Sequence, residues 1–256
     1  MKRLMALGAV VAAVSAGSVA LGNKVAADGA AAQGDGGLAL SPALAEKSGP
    51  QPGPIATYTI ANRSSAPLAV TVAPRPWKQT ADGKVTVNRR SRLRGVNVDA
   101  ASFTLAPGEQ RPVTATLASA PSGGALYGAL EVIGTPTDAD DRKGVVLGYR
   151  LIGTIRVRPT TPRIRLAAGT TKVRKGTATI SIRNRGNTVD PVTGSVRVRG
   201  GSGTRTRSVK AIRILPGESV TITMGTRLSS GNYTATVRLR QRNRVALSTT
   251  KRFKVR

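Results

Sequence analysis

Apolar and polar residues alternate in short segments along most of the chain, and glycine, proline or asparagine separates one segment from the next. Examples are residues 55–61, 68–72, 84–87, 113–117 and 127–133. A period of two is typical of strands with one buried and one exposed face. A longer segment, residues 145–158, ends before Pro159 and Pro162, which cannot donate to a β-ladder. The pattern predicts an all-β protein with a boundary at 159–162.

Three landmarks of the first half recur in the same order in the second half. The matched segments are 57–63 with 179–185, 105–109 with 215–218, and 124–132 with 231–237. Tyr127 and Tyr233 begin late strands, where immunoglobulin-like sandwiches place a tyrosine corner whose hydroxyl bonds the backbone upstream. We therefore expect two immunoglobulin-like β-sandwich domains in tandem, residues 38–158 and 163–256, joined by a linker at 159–162.

The N-terminus has the composition of an export signal. A basic start is followed by an apolar run and then by small residues at 25–27. This order predicts a signal peptide over residues 1–27, either cleaved or kept as an anchor. Residues 28–37 are low in complexity and predict a flexible leader. No second apolar run of about 18 residues follows, so we expect a secreted or wall-associated mature chain without a membrane span.

Composition argues against enzymatic chemistry. The chain has no histidine and no cysteine, which removes disulfides, the common zinc and haem ligands and the commonest general base. Glycine-rich phosphate loops and nucleophile elbows are absent from the sequence. We therefore expect a protein that is not an enzyme and holds no cofactor or metal. Residues 138–141 offer three aspartates to calcium, but a solvated loop tip beside Arg142 and Lys143 is the favoured interpretation.

Arginine alternates with apolar residues in the second half of the chain. Residues 159–256 hold 22 basic and 2 acidic side chains. In residues 195–199, 237–240 and 252–256, apolar side chains occupy one phase and basic side chains the other. The landmarks assign these segments to three strands of one sheet. We expect a single outward basic face composed of Arg197, Arg199, Arg238, Arg240, Arg252 and Lys254.

Two explanations of this face stay open at the level of sequence. Arginine can serve as the general polar surface residue, with acidic residues few. Alternatively the face binds a polyanion, such as an anionic cell-wall polymer, because crowded like charges repel one another and attract opposite charge. Aromatic residues make up only 3% of the chain, which argues against base stacking and specific nucleic-acid recognition.

The first half resembles a known family. Residues 60–68, 77–83 and 103–110 resemble the N-terminal domain of periplasmic pilus-assembly chaperones, and the same order is similar to that of WxL-interacting cell-surface proteins. Residues 123–128 and 144–150 fit the latter family somewhat better. The resemblance covers about residues 38–158 and implies an immunoglobulin-like fold.

The chaperone resemblance implies binding by strand addition, in which an exposed edge strand pairs with an exported subunit. The candidate edge residues are Val146, Arg150, Ile152 and Thr154. The alternate residues of this segment, Leu147 among them, have the pattern of a core face. The sequence offers no recognisable basic pair for a subunit carboxylate, and it lacks the C-terminal membrane helix usual in WxL-interacting proteins.

The sequence thus predicts an exported, non-enzymatic binding or structural protein of the cell envelope. The leading interpretation is contact with an anionic envelope polymer through the basic face. The alternative is a chaperone-like protein that binds an exported surface or pilus subunit by strand addition.

Overall fold

A computed structural model describes residues 36–141, 146–201 and 203–256. The predicted signal peptide and most of the predicted leader lie outside the described residues. All regular secondary structure in these described residues is β-strand. The first sandwich contains β1 Leu38–Ser41, β2 Leu44–Ser48, β3 Gly53–Asn62, β4 Leu68–Gln79, β5 Val85–Val87, β6 Val96–Val98, β7 Ser102–Leu105, β8 Gln110–Leu117, β9 Leu126–Pro136 and β10 Tyr149–Arg158. The second contains β11 Leu166–Arg174, β12 Thr177–Asn184, β13 Val192–Gly200, β14 Gly203–Ile212, β15 Ser219–Gly225, β16 Gly231–Gln241 and β17 Arg244–Val255.

Each sandwich consists of two sheets. In the first, the sheet β1-β3-β8-β6 packs against the sheet β2-β10-β9-β4-β5, and β7 pairs with β4. In the second, β11-β12-β15 packs against β14-β13-β16-β17. The predicted all-β fold with tandem immunoglobulin-like sandwiches is confirmed. None of the described residues forms a helix long and apolar enough to cross a membrane.

The two cores are largely aliphatic because the chain has few aromatic residues. Alternate residues of each strand point inward, as Leu130 and Val132 do on β9 and Ile155 and Val157 do on β10. The second core follows the same rule, with Val196 of β13 fully buried. Each such side chain contributes roughly 1.5–3 kcal/mol by leaving water.

A buried asparagine closes the same corner in both sandwiches. The Asn62 side-chain amide donates to the carbonyl oxygens of Ala66 and Leu105 at 2.8 and 3.1 Å. Asn184 donates to Thr188 and Ile214 at 2.8 and 2.7 Å. The carbonyl oxygen of each side chain accepts from the backbone two residues ahead. One side chain therefore satisfies three backbone groups that the strands leave unpaired.

Two turns with the sequence Pro-Gly-Glu, at residues 107–109 and 216–218, bond directly to these asparagines. The backbone N–H groups of Gly108 and Gly217 donate to the backbone carbonyl oxygens of Asn62 and Asn184, each at 2.9 Å. Both glycines have positive φ angles, 77° and 82°, which a side chain would strain. Two of the three landmarks found in sequence are thus one structural unit, present twice.

The two tyrosines at matching landmarks take different roles. Tyr233 donates its hydroxyl to the carbonyl of Ser229, four residues upstream, as a tyrosine corner does. The prediction for Tyr127 is wrong, because its hydroxyl donates to Asn187 in the second sandwich at 2.9 Å. The sequence signal marked a strand start correctly in both cases, but it did not distinguish an internal bond from one that joins the sandwiches.

The β4–β5 hairpin also joins the two sandwiches. The Gln79 side chain donates to the Arg213 carbonyl at 2.7 Å and accepts from the Leu215 N–H at 2.9 Å. At the tip, a Cβ on Gly83 would lie 2.6 Å from a methyl carbon of Ile212. Direct hydrogen bonds and close packing therefore hold the hairpin against the second sandwich.

Replacing Asn184 with alanine tests the corner. The change leaves two carbonyls and one N–H without their partner, so we expect a loss of about 2 to 4 kcal/mol in unfolding free energy. Asn232, which is exposed on β16, provides the matched control. Asn232→Ala should change stability by less than about 0.5 kcal/mol. Urea denaturation measures both, and equal effects would contradict the role assigned to Asn184.

Candidate binding surfaces

Strand β10 is paired along only part of one edge. On one side β9 pairs with residues 149–157. On the other side β2 pairs in parallel with residues 154–158 alone. No strand of the described residues covers that second side of Tyr149–Gly153. Among the residues that the structure describes, the N-terminal half of β10 is therefore an uncovered edge, which we call the free edge.

The split of the N-terminal segment between two sheets explains why the cover is partial. β1 pairs with β3 in one sheet, and β2 pairs with β10 in the other. Between them stands Pro42, which has no N–H to continue either ladder. The segment reaches β10 only at Ala43, whose carbonyl accepts from the Thr154 N–H at 2.8 Å.

Glu46 fixes β2 against the covered half. Its carboxylate accepts from Arg156 at 3.1 Å and from Arg158 at 2.7 and 2.9 Å. The hydrogen bond from Arg158 is the main reason that the pKa of Glu46 lies below its ordinary value. These ion pairs hold β2 to residues 154–158.

The pairing also shows which backbone groups are free. Because the N–H of Thr154 points toward β2, the period-two alternation points the N–H and C=O of Ile152 and Arg150 to the same side. These four groups have no partner in the described part of the chain. Both residues were predicted to lie on the binding edge, and their side chains face outward.

Three predictions for this segment are wrong. Thr154 is not part of the free edge, because β2 already pairs with it. Leu147 does not join the core but is 71% exposed just before β10. Val146, the remaining predicted edge residue, lies outside the strand. Leu44 is 43% exposed at the start of β2 and was not identified from sequence. Exposed leucines thus flank both ends of the free edge.

A buried carboxylate lies beside the edge on the outer face of the sheet. Glu131 of β9 is only 2% exposed and accepts hydrogen bonds from three arginines. Its Oε2 is 3.0 Å from Arg75 Nε, and its Oε1 is 3.2 Å from Arg89 Nε and 2.6 Å from Arg150 Nε. We refer to these four residues as the Glu131 cluster.

The cluster holds Glu131 in its charged form. Burial acts to raise the pKa of its carboxyl, but hydrogen bonds from Arg150, Arg89 and Arg75 together lower it below the ordinary value of 4.5. Arg89 belongs to a basic loop over residues 89–94, and its hydrogen bond to Glu131 holds that loop against the sheet. The buried Leu93 holds the loop there as well.

The six predicted basic residues lie on one outer face of the second sandwich. β13, β16 and β17 are neighbours in one sheet, and all six side chains are exposed. Hydroxyl or amide side chains separate them across the strands: Arg199 and Arg252 both pair with Thr234, and Lys254 pairs with Asn232. Within the described chain none of the six forms an ion pair.

Basic residues are not confined to that face. Arg205 and Arg207 of β14 pair with Val198 and Val196, so they point to the opposite side of the same sheet. They are nevertheless exposed. The facing sheet has three strands against four, and residues 203–208 of β14 are all exposed. Positive charge therefore surrounds this edge on both sides.

A polar cleft of about 570 Å³ lies between the sandwiches. Its basic side chains already have partners. Arg156 and Arg158 bond to Glu46, Arg242 Nε is 3.5 Å from Asp190 Oδ2, and Arg213 donates to the Val189 carbonyl at 2.9 Å. The cleft thus offers no unmatched basic pair for a free carboxylate. No three metal-ligating side chains are grouped in the residues that the structure describes.

Replacing Glu131 with glutamine tests the buried cluster. We expect a loss of roughly 2 kcal/mol in unfolding free energy at neutral pH, reduced from a fully buried ion pair because the arginines are partly exposed. A pKa lowered on folding adds stability above about pH 4.5, and this is lost as the pH falls through the folded-state pKa. The difference between wild type and E131Q should therefore shrink in acid, as measured by urea denaturation across pH. The exposed Glu218→Gln is the control, and a pH-independent difference would contradict the charged state assigned to Glu131.

The chain is similar in fold to fimbrial chaperones. A chain of the chaperone–tip adhesin complex of CFA/I fimbriae biogenesis superposes with a TM-score of 0.52 at 10% identity, over 84% of this chain and 97% of that one. The class 5 fimbriae chaperone CfaA gives a TM-score of 0.50 at 12% identity, over 84% and 98%. No protein-family model and no curated protein matches the sequence. Neither structure is a WxL-interacting protein, so that part of the resemblance stays a prediction. At these identities the likeness establishes the fold, a tandem pair of immunoglobulin-like sandwiches of the kind found in fimbrial chaperones.

Proposed function

We propose that this protein is an exported, non-enzymatic binding protein that adds an extended segment of another exported polypeptide to the free edge of β10. The observation that carries the proposal is the half-covered strand. The N–H and C=O groups of Arg150 and Ile152 point away from β9 and have no partner in the described chain. Free edges template strand pairing.

The side chains around the edge support binding rather than protection. Natural proteins usually block an exposed edge with proline, lysine or a bulge. This edge has one charged residue, Arg150, but it also carries Ile152 and is flanked by the exposed Leu44 and Leu147. Exposed apolar residues grouped in this way mark interaction sites.

The size of the edge limits what the backbone alone can contribute. Four hydrogen bonds contribute about 2–6 kcal/mol net, at 0.5–1.5 kcal/mol each. Association costs on the order of 4–15 kcal/mol in lost freedom. Side-chain contacts with Ile152 and the two leucines must therefore supply the remaining affinity, and the partner segment needs apolar residues.

The structural neighbours agree with this class of partner. The similar chain comes from a complex between a chaperone and a tip adhesin in fimbriae biogenesis. We infer an exported protein subunit as the partner of this chain, and secretion across the membrane by the segment at 1–27 as the route to it.

Substitutions at Ile152 test strand addition. The probe is a fluorescein-labelled ten-residue peptide of alternating threonine and valine. Ile152→Pro removes a free N–H and is tolerated at an edge, so affinity should fall at least about tenfold while the unfolding midpoint changes little. Ile152→Val keeps the N–H and the branched shape and should bind as wild type does. Fluorescence anisotropy gives the affinity.

A pair of lysine variants separates an edge contact from a charge effect. Ile152→Lys should weaken binding of the same peptide at both low and high salt, because an apolar contact is lost. Val85→Lys adds the same charge at the opposite edge of the same sheet and should have no effect. Equal binding by wild type, I152P and I152K would overturn the proposal.

The basic face supports a second candidate function, binding of an anionic envelope polymer. Arg197, Arg199, Arg238, Arg240, Arg252 and Lys254 share one exposed sheet face without carboxylate partners among the described residues. We rank it second because Arg205 and Arg207 show that positive charge is spread over both sides of the sheet.

Matched double variants test the face. Arg197→Ser with Arg199→Ser removes two charges from it, and Arg205→Ser with Arg207→Ser removes two from the opposite side of the sheet. Binding of polyphosphate should weaken with salt and should fall more in the first variant than in the second. Equal losses would assign the binding to overall net charge and exclude a specific face.

A further inference from the structure

The guanidinium groups beside the free edge are only partly used. Arg150 and Arg89 each bond to Glu131 through Nε, at 2.6 and 3.2 Å. Their terminal amino groups have no partner in the described residues. Arg75 also donates a terminal amino group to the Ser91 carbonyl at 3.3 Å. The buried Glu131 carboxylate thus orients these arginine side chains and leaves the terminal amino groups of Arg150 and Arg89 open to solvent.

The charge of the Glu131 cluster is unbalanced. Three guanidinium groups surround one carboxylate, so the cluster carries an excess of two positive charges. The Arg150 side chain is 37% exposed and that of Arg89 is 59% exposed. The outer face next to the edge is therefore electropositive and accessible.

Arg150 belongs both to this cluster and to the free edge. A strand added beside Tyr149–Gly153 would place one of its residues directly opposite Arg150 and on the same outer face, with Cβ atoms about 4.5–5.5 Å apart. A carboxylate at that position is within reach of the free amino groups of Arg150. A lysine there would meet three guanidinium groups and one already occupied carboxylate.

We propose that the edge selects extended segments that carry an aspartate or glutamate opposite Arg150 and an uncharged, β-branched residue opposite Ile152. This inference rests on strand addition at β10 and specifies the chemistry of the added segment. Glu131 has a positioning role, because it holds the Arg150 side chain by its Nε while leaving the fork free. Opposite charges across adjacent strands stabilise pairing and like charges oppose it.

Three versions of the alternating threonine–valine peptide test the selection with the full chain. One central threonine is replaced by Asp, Asn or Lys, and anisotropy measures each affinity at low salt. Wild type should bind the Asp peptide about tenfold more tightly than the Lys peptide, with the Asn peptide between them. Arg150→Gln should remove this preference, and Arg150→Glu should reverse it.

The control keeps net charge equal. Lys78→Gln removes one exposed charge from the same sandwich, at the opposite edge of the sheet, and should leave the preference intact. Amide hydrogen exchange at residues 149–153 locates the bound peptide. Protection of Ile152 should accompany binding of the Asp peptide.

The outcomes separate this inference from the function on which it rests. Equal affinities for the three peptides, with binding still lost in I152P, would overturn the selection and leave strand addition standing. An Asp preference that persists in I152P would assign it to general surface charge and also overturn the selection. Absence of Ile152 protection with every peptide would overturn strand addition and, with it, the selection.

Discussion

The backbone N–H and C=O groups of a strand in a sheet need hydrogen-bond partners. Along one side of β10 the neighbouring strand supplies them, but along the other side only half of the strand is paired within the described residues. β9 satisfies the inner side along the strand, whereas β2 covers only residues 154–158. The remaining groups, on Arg150 and Ile152, have no partner among the described residues and can pair with water or with another chain. Our interpretation of the exposed leucines, of the free arginine amino groups and of the proposed polypeptide partner depends on this free half of β10.

The limits of the free edge are set by local chemistry. Pro42 separates β1 from β2, so the segment changes sheets and meets β10 only from Ala43 onward. Glu46 then clamps β2 to Arg156 and Arg158. On the outer face, Glu131 fixes Arg150 in the same way but leaves its edge uncovered. Glu46 therefore gives Arg156 and Arg158 a structural role, whereas Glu131 orients Arg150 and leaves it accessible.

Much of the fold follows from alternation and repetition in the sequence. The period-two pattern predicted the strands, and the phase of Arg197 and Arg238 placed them on one outer face. β1 and β2 were missed because Pro42 shortens each below a recognisable pattern. Leu147 and Thr154 were placed wrongly because a strand's alternation does not reveal where its neighbours begin and end. In the Glu131 cluster, Arg89 and Arg75 are 42 and 56 positions from Glu131 in the sequence, and only Arg150 is nearby. No spacing in the sequence indicates that these residues meet.

Amide hydrogen exchange of the free protein, resolved by residue, tests the central claim most directly. If β10 is half covered, the N–H groups of Arg150 and Ile152 should exchange rapidly, whereas that of Thr154, bonded to Ala43, should be strongly protected. Leu151, which points to β9, should also be protected and serves as the internal reference. Equal protection of Ile152 and Thr154 would contradict the account, because it would mean that the proposed binding edge is already paired.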